Sequence, residues 1–329
     1  MTNVTENIRM LTAEDLAQVI EIDERNTGRS RKDFFEKRIK AALKYPKDFI
    51  YIAYENEMGL MGYLLARLQT GEFGDSDTVA VLDDIGVRQD AQGNGVGHQL
   101  MDELTRIIRE KNIHEIRSQA DWPDRPVLNF FGASGFDLAP RVIYRRDVNY
   151  LDRKIAEEDE NQEMDFSDPS GDASAALSRD KIPCRSLTQE DLAAIIKIDR
   201  KIMGFDRTPY YDRKMEEILT ESGIRVSLVA ECDDHVVGFI MVRVDFGEFG
   251  RAEPSAIIDS LGVDPAYAHN NVGSALMSQL MANLAVLRTD EVRTEVGVTQ
   301  LALTGFLQSN GFEPAQSLSL CKKKRPKAV

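Results

Sequence analysis

The chain of 329 residues is long enough for two domains of ordinary size, and its 42% hydrophobic and 29% charged residues are typical of a globular protein with buried cores. No apolar run approaches the roughly 18 residues of a membrane span, and Met1–Asn7 lacks the basic and apolar regions of a signal peptide. The net charge of −14, without a basic stripe outside the tail Lys322–Lys327, argues against nucleic-acid binding, and three widely separated cysteines indicate a reducing cytoplasm with no disulfide or zinc site.

The hydrophobic pattern of the first 150 residues predicts helices and strands with ordinary start and stop signals. Thr12 stands before a stretch with helical apolar spacing and is a typical N-cap residue, with Asp15 in the first turn. In chain order the predicted elements are a strand Ile8–Leu11, a helix after Thr12, a helix Lys32–Lys44, strands Phe49–Glu55, Leu60–Thr70 and Thr78–Val87, a helix Gly95–Lys111, a strand His114–Ala120, a helix Pro126–Ala133, and two strands from Phe136 onward.

The same pattern recurs with an offset of 176 residues. The sequence Leu-Thr-x-Glu-Asp-Leu-Ala begins at both Leu11 and Leu187, and 34 of 126 positions are identical when residues 11–136 are aligned without a gap. We therefore predict two copies of one domain, at 1–150 and 181–329. Residues 151–180 are predicted to be an acidic linker, because they hold ten acids, three bases and few large apolar groups.

A glycine-rich stretch carries the clearest functional signal. Residues 87–101 read VRQDAQGNGVGHQLM and lead from a predicted strand into a helix. Such a turn directs backbone N–H groups at one point beside the positive end of a helix dipole, where phosphate binds. Gly93 and Gly95 have no Cβ atoms that would keep a pyrophosphate away from the main chain. The stretch lacks the Gly-Lys-Ser/Thr ending of a P-loop. It also differs from a dinucleotide fingerprint, because no chain-initial βαβ unit surrounds it and no acidic residue ends a following strand at the expected distance.

This stretch resembles the coenzyme A loop of the GNAT acetyltransferases, whose pattern is Gln/Arg-x-x-Gly-x-Gly/Ala directly after a strand. Gln92, Gly95 and Gly97 occupy the three fixed places, and Gly135-Phe136 after an aromatic-rich helix matches the closing signature of the family. Because the resemblance covers both repeats, it implies an α/β fold of the α+β kind with a mixed sheet, arranged as two tandem GNAT acyl-CoA N-acyltransferase domains.

The resemblance further implies acetyl-CoA as co-substrate and a primary amine as acceptor, in a small molecule or in a peptide or protein. Direct attack of the amine on the thioester needs a neutral amine, an aligned carbonyl and an acid for the leaving thiolate, and it needs no metal. The cofactor-binding residues that the resemblance implies are Ile85, Gly86, Val87, Gln92, Gly93, Asn94, Gly95, Val96, Gly97 and His98.

Candidates for the general base lie on the strand before the loop and in the turn that precedes it. Strand alternation places Asp83 on one face with Ile85 and Val87. Asp83 recurs in the second repeat whereas Asp84 does not, and Glu72 belongs to a Gly-Glu-Phe-Gly motif that also recurs. We predict Asp83 and Glu72 as catalytic residues. The alternatives are that Asp83 caps or pairs near the loop and that the motif is a hairpin or bulge.

The expected general acid departs from the family pattern. Many members carry a tyrosine five residues before the closing phenylalanine, and here that place holds Phe131 in the first repeat and Leu307 in the second. Tyr144 is a candidate substitute, with a packed aromatic as the competing interpretation. The departure supports an alternative function, a non-catalytic acyl-CoA-binding sensor or interaction protein.

Four further residues are candidates for the acceptor side. Asp23 and Arg31 recur with the same spacing, which fits either an internal salt bridge or a contact with substrate. Arg67 in an apolar strand is either a paired core charge or an anchor for a substrate carboxylate. Trp122 belongs either to an acceptor pocket or to the packed interior.

The two repeats differ at the loop itself. Gln92 and Gly95 are replaced by Ala268 and Asn271, and a Cβ atom at Asn271 would crowd an approaching phosphate. We therefore predict that the N-terminal domain binds acetyl-CoA and is active, and that the C-terminal domain carries a degenerate coenzyme A loop. The sequence is compatible with a monomer that has pseudo-dimeric halves and with a homodimer.

Overall fold

The computed structural model describes residues 7–71, 77–148, 181–221, 225–246 and 254–323, which form two compact units. The first unit takes in the chain up to Pro140 and the segment that begins at Gln316, and the second takes in Arg141–Asp245 and Pro254–Ala315. Among the described helices, none has both the length and the apolar character needed to cross a bilayer. The predicted linker 151–180 and Glu72 lie outside the described residues.

The first unit is built on a mixed seven-stranded sheet. Its elements are β1 (Ile8–Met10), α1 (Leu16–Thr27), α2 (Lys32–Lys44), β2 (Phe49–Asn56), β3 (Gly59–Thr70), β4 (Thr78–Val87), α3 (Val96–Glu110), β5 (Glu115–Asp121), α4 (Arg125–Ala133), β6 (Asp137–Leu138) and, from the far end of the chain, β14 (Ser317–Lys323). The strand order is β1-β2-β3-β4-β5-β14-β6, with β4 and β5 parallel and the other registered pairs antiparallel.

The second unit repeats this plan. Its elements are β7 (Arg141–Asp147), β8 (Cys184–Ser186), α5 (Leu192–Met203), α6 (Thr208–Glu216), β9 (Leu228–Cys232), β10 (His235–Phe246), β11 (Pro254–Val263), α7 (Val272–Val286), β12 (Glu291–Gly297), α8 (Leu301–Ser309) and β13 (Glu313–Pro314). The strand order is β13-β7-β12-β11-β10-β9-β8, and β11 runs parallel to β12. The predicted mixed α/β fold, with the same order of elements in two tandem copies, is confirmed.

The two repeats exchange their last strands. β7 follows β6 in the N-terminal repeat, yet it pairs antiparallel with β12 from Glu291↔Asp147 to Gly297↔Arg141. β14 ends the C-terminal repeat, yet it pairs antiparallel with β5 from Ser317↔Asp121 to Lys323↔Glu115. The compact units therefore differ from the sequence repeats at their C-terminal ends.

Each repeat enters its first helix through the same capping arrangement. The Thr12 backbone N–H donates to Asp15 Oδ2 at 2.8 Å, and the Arg9 guanidinium donates to both carboxylate oxygens of Asp15 at 2.7 Å. Thr188 and Asp191 repeat this arrangement in the C-terminal half. The predicted N-cap at Thr12 is confirmed, and one short helical turn precedes α1.

The sheet of the first unit has an apolar core on each face. Leu100 and Leu104 of α3 are fully buried against one face, together with Ile52 and Leu64 of the sheet. Helices α1 and α2 cover the other face around a cluster that includes Tyr63. Alternate residues of β2 and β3 thus point to opposite cores, as strand geometry requires.

Candidate active site

The first unit contains a cleft between its parallel strands. β4 and β5 are registered at Ala80↔Ile116 and Val81↔Arg117. Beyond these pairs lies a cleft of about 850 Å³, lined by residues 82–87 of β4 and 118–121 of β5, with the glycine-rich loop and parts of α3 and α4. The carboxyl ends of diverging strands are a common location for a ligand.

The glycine-rich loop lies beside this cleft in a conformation that suits glycine. Gly93 and Gly95 have φ values of 77° and 81°, and Gly95 is the N-cap residue of α3. A Cβ atom on Gly93 would meet no heavy atom within 4 Å, and one on Gly95 would meet only Gln99 at 4.0 Å. The space next to both residues is therefore open, and the loop fits a phosphate at the helix N-terminus.

Most of the predicted cofactor-binding residues face this space. Asn94 is exposed in the same turn. The other predicted residues line the cleft, namely Ile85, Gly86, Val87, Gln92, Gly93, Gly95, Val96, Gly97 and His98.

Side chains from α1 and from the loop meet at the end of β4. Asn26 Nδ2 and Gln92 Nε2 donate to the Val87 carbonyl oxygen at 3.0 and 3.1 Å, and Gln92 Nε2 also donates to Asn26 Oδ1 at 3.2 Å. The Val87 carbonyl thus already accepts two side-chain donors. Sequence analysis missed Asn26, whose one signal is that the second repeat has Ile202 in its place.

β4 carries a bulge at Asp83. Leu65 and Ala66 are consecutive in β3 and pair with Asp84 and Leu82, so Asp83 is the extra residue in the ladder. Leu82 and Ile85 consequently pack in the same core beneath α3, whereas both aspartates meet arginines from the α1–α2 side. The prediction that Asp83 shares a face with Ile85 and Val87 is wrong, because alternation does not continue across a bulge.

The Asp83 carboxylate forms a buried ion pair. Asp83 is 1% exposed, and Arg67 donates to its two oxygens at 2.6 and 2.7 Å, with Arg38 Nε at 3.9 Å. Asp259 and Arg243 form the same pair in the second unit, at 3.0 Å. The interpretation of Arg67 as a paired core charge is confirmed, and the geometry of Asp83 matches the pairing alternative.

Asp84 belongs to a second polar cluster that borders the cleft. Its Oδ2 accepts hydrogen bonds from Arg31 Nη2 at 2.7 Å and from Tyr63 Oη at 3.1 Å. Arg31 also forms a buried salt bridge with Asp23, which confirms the internal salt bridge that spacing suggested. Burial raises the pKa of Asp84 above its ordinary value, since the opposing Arg31 charge compensates only in part.

The second unit has a different cluster at the same place. Phe239 stands at the place of Tyr63, and Tyr211 supplies a hydroxyl instead. The Tyr211 hydroxyl donates to Asp199 Oδ1 at 2.7 Å and lies 3.0 Å from Ser260 Oγ. Arg207 pairs with Asp199 at 3.0 Å. Because Ser260 replaces the aspartate, the polar cluster of the first unit holds one more carboxylate than that of the second.

Three aromatic residues that the sequence analysis singled out lie in different environments. Phe131 is buried and lines the cleft at the place where a tyrosine was expected. Tyr144 lies on β7 in the buried core of the second unit, which confirms the interpretation as a packed aromatic. Trp122 is 66% exposed, so its assignment to the packed interior is wrong.

The loop of the second unit keeps the backbone conformation without its glycines. His269 and Asn271 have φ values of 64° and 59°, at the places of Gly93 and Gly95. L-residues rarely adopt this left-handed region, and asparagine tolerates it better than most. The two loops therefore differ in the side chains they present and in the loss of the Gln92 amide.

Comparison with known families gives a match in each repeat. The model of the Acetyltransferase (GNAT) family matches residues 16–136 and 192–312. No curated protein sequence matches the chain at a significant level.

Several solved structures share the fold at low sequence identity. A tandem GNAT protein from the clavulanic acid biosynthesis pathway is 15% identical, with a TM-score of 0.64 and coverage of 98% of this chain and 99% of that one. A GCN5-related glucosamine N-acetyltransferase region in a fungal multi-domain GH3 β-N-acetylglucosaminidase is also 15% identical, with a TM-score of 0.64 and 95% coverage of this chain. The present chain spans 37% of the length of that fungal protein. N-myristoyltransferase from Saccharomyces cerevisiae, with bound myristoyl-CoA, is 14% identical, with a TM-score of 0.57 and coverage of 97% and 79%.

Proposed function

The chain belongs to the GNAT acetyltransferase family, and on that basis we propose that its N-terminal cleft transfers the acetyl group of acetyl-CoA to a primary amine. The observation that carries the proposal is the loop at the start of α3, where left-handed Gly93 and Gly95 border open space. Backbone N–H groups at such a helix N-terminus suit the pyrophosphate of a coenzyme A molecule. The adjoining main chain of β4, at residues 85–87, would hold the pantetheine arm as an added strand does.

The polar contacts at the end of β4 would position the loop for the acetyl-CoA donor. Asn26 and Gln92 hold the Val87 carbonyl, which fixes the loop relative to α1 and β4. The second repeat lacks both amides, since Ile202 and Ala268 replace them. We propose that the C-terminal loop binds acetyl-CoA weakly or not at all, because it has lost these amides and gained side chains where the phosphate would lie.

For the acceptor half we propose Asp84, and not Asp83, as the general base. The amine nitrogen attacks the thioester carbonyl carbon, the C–N bond forms and the C–S bond breaks. The proton of the amine passes to the Asp84 carboxylate, and the leaving thiolate takes a proton from water. Asp84 borders the cleft, and its raised pKa makes it a better proton acceptor than an ordinary aspartate. Asp83 is fully engaged with arginines in the interior.

The donor claim is tested by calorimetric titration of acetyl-CoA into the parent protein, Gly95→Asn and Asn271→Gly. We expect the parent to bind acetyl-CoA at one site. Gly95→Asn should raise the Kd of this site at least tenfold, and Asn271→Gly should change neither the number of sites nor the Kd. Two sites in the parent would contradict the asymmetry between the repeats, and no binding would leave the proposed activity without a donor.

The acceptor claim is tested by release of free coenzyme A in the presence of a panel of amines. Turnover that depends on the amine would support an enzyme, and Asp84→Asn should lower kcat by about 10²- to 10⁴-fold with acetyl-CoA binding intact. Binding of acetyl-CoA without turnover on any amine would favour the non-catalytic sensor, for which Phe131 in the tyrosine position is the supporting observation.

A further inference from the structure

The far wall of the N-terminal cleft depends on a strand of the C-terminal repeat. β5 is registered with β4 at Ile116 and Arg117, whereas the wall of the cleft is formed by residues 118–121. These four residues take their ladder partners from β14, in the pairs Leu320↔Ser118, Ser319↔Gln119, Leu318↔Ala120 and Ser317↔Asp121. The wall is thus held in place by a strand that lies about 200 residues later in the sequence.

One side-chain contact ties this strand to a carboxylate of the cleft. The buried Ser317 hydroxyl donates to Asp121 Oδ1 at 2.5 Å, and the Trp122 backbone N–H donates to the Gln316 carbonyl oxygen at 2.9 Å. Asp121 is half-buried and lines the cleft. Two consecutive residues of the C-terminal repeat therefore fix the end of β5 and the orientation of the Asp121 carboxylate.

The lining of the cleft is rich in aspartates. Besides Asp83, whose charge Arg67 neutralises, the aspartates at 23, 84, 121 and 124 line the cleft together with the single guanidinium of Arg31. The second repeat keeps the fold and replaces three of these acids, with Ser260, Gly297 and Gln300. Asp124 has a role in the fold, since its Oδ1 accepts the Val127 N–H at the start of α4 at 3.1 Å, and Asp84 pairs with Arg31. The sheet of the second repeat forms with Gly297 at the place of Asp121, so the sheet itself does not require the Asp121 carboxylate.

The second unit also lacks the serine contact. Arg141 of β7 occupies the register position that Ser317 occupies on β14, opposite Gly297. Its guanidinium pairs with Glu295 at 2.8 Å. The serine–aspartate contact is therefore specific to the unit that has the glycine loop.

From these observations we propose that Asp121 binds a second cationic group of the acceptor, and that Ser317 is a positioning residue supplied to the N-terminal site by the C-terminal repeat. The acceptor class is accordingly a diamine, or an amine that carries another positive group. This inference rests on the proposed acetyltransferase function of the same cleft. It gives the C-terminal repeat a role in the reaction that does not require the repeat to bind acetyl-CoA.

The experiment compares two acceptors of equal carbon length, 1,4-diaminobutane and n-butylamine, with the full-length chain. We expect the parent to acetylate the diamine with the higher kcat/KM. Asp121→Asn should raise the KM of the diamine about 10- to 100-fold, as loss of a charged hydrogen bond does, while the KM of butylamine and of acetyl-CoA stays within about twofold.

Ser317 is tested with two substitutions and a matched control. Ser317→Ala should raise the KM of the diamine about two- to tenfold with little change in kcat, and Ser317→Thr, which keeps the hydroxyl, should restore it. Arg141→Ala, at the same register in the second unit, should leave both acceptors unaffected. Melting temperatures of all variants separate an effect on binding from an effect on folding.

The outcomes separate this inference from the function on which it rests. Equal kcat/KM for both amines, or a Ser317→Ala variant that loses thermal stability and keeps its diamine KM, would overturn the inference and leave the acetyltransferase proposal standing. Acetyl-CoA binding with no turnover on either amine or on the wider panel would overturn both.

Discussion

Replacing the Asp83 carboxylate by an amide separates a structural role from a catalytic one. Asp83→Asn keeps the shape of the side chain and removes the charge that faces Arg67 at 2.6 Å and Arg38 at 3.9 Å. All three side chains are at most 6% exposed, so the two guanidinium groups would lose their shared carboxylate in the interior. Breaking a buried ion pair by removing one partner costs about 3–5 kcal/mol.

That loss of stability has a measurable size. For a unit of this length each kcal/mol lowers the melting temperature by about 2–4 °C, so Asp83→Asn should lower it by about 6–20 °C. Asp259→Asn is the matched variant, because Asp259 accepts a hydrogen bond from Arg243 at 3.0 Å in the second unit. We expect a loss of similar size in calorimetry and in urea titrations of the two variants.

Activity measured on the same variants completes the test. At a temperature where Asp83→Asn is still folded, its kcat/KM should stay within about tenfold of the parent, since removal of a general base costs about 10²- to 10⁴-fold. Asp84→Asn should show the opposite pattern, with a large loss of turnover. An Asp83→Asn protein that melts like the parent and loses more than about 100-fold in kcat/KM would refute the assignment of Asp83 to the fold.

Three further predictions follow from the geometry. Gly86→Ala should destabilise the protein by about 1–3 kcal/mol in urea titrations, because the new Cβ atom would lie 2.4 Å from the Tyr63 ring. Gly132→Ala is the control and should not cause this destabilisation, because its Cβ atom would meet no heavy atom within 4 Å. Hydrogen bonds from Arg9 lower the pKa of Asp15, so the ionised Asp15 carboxylate stabilises the folded protein. This stabilisation is complete above the ordinary aspartate pKa and is lost as the pH falls through the lowered pKa. Urea midpoints measured against pH should show the loss in the parent, and Asp15→Asn should remove this part of the pH dependence. Cleavage at a protease site placed in the acidic linker should leave two fragments that co-elute in size exclusion without denaturant, because each supplies the last strand of the other's sheet; separate elution would contradict the exchange.

Local sequence signals were sufficient for the elements and their order. Helix α2 and strand β4 begin and end at the predicted residues, Lys32–Lys44 and Thr78–Val87. Hydrophobic period, N-caps and glycines act within a few residues, so a single sequence contains them. The repeat then carried the prediction from the first half to the second.

The exchange of last strands had no local signal. β7 and β14 occupy equivalent places in the two repeats, and each pairs with a strand of the same pattern, so either partner would bury the same face. The choice depends on how the chain connects over long distances. The bulge at Asp83 was equally hidden, because an extra residue in one strand is defined only by its register with the neighbouring strand.

Recurrence between the two repeats marks residues that the fold needs as well as any that the reaction needs, so it does not by itself identify a catalytic residue. Among the features that the repeats share are ion pairs and caps of the fold, such as Asp83 with Arg67 and Asp15 with Arg9. Asp84 and Asp121 line the cleft and are two of the positions where the repeats diverge. Asp83 was favoured over Asp84 because it recurs. If the C-terminal repeat does not bind acetyl-CoA, as we propose, it retains what the sheet needs and has no reason to retain what the reaction needs. On this proposal, the positions where the two repeats differ are also candidates for residues of the reaction.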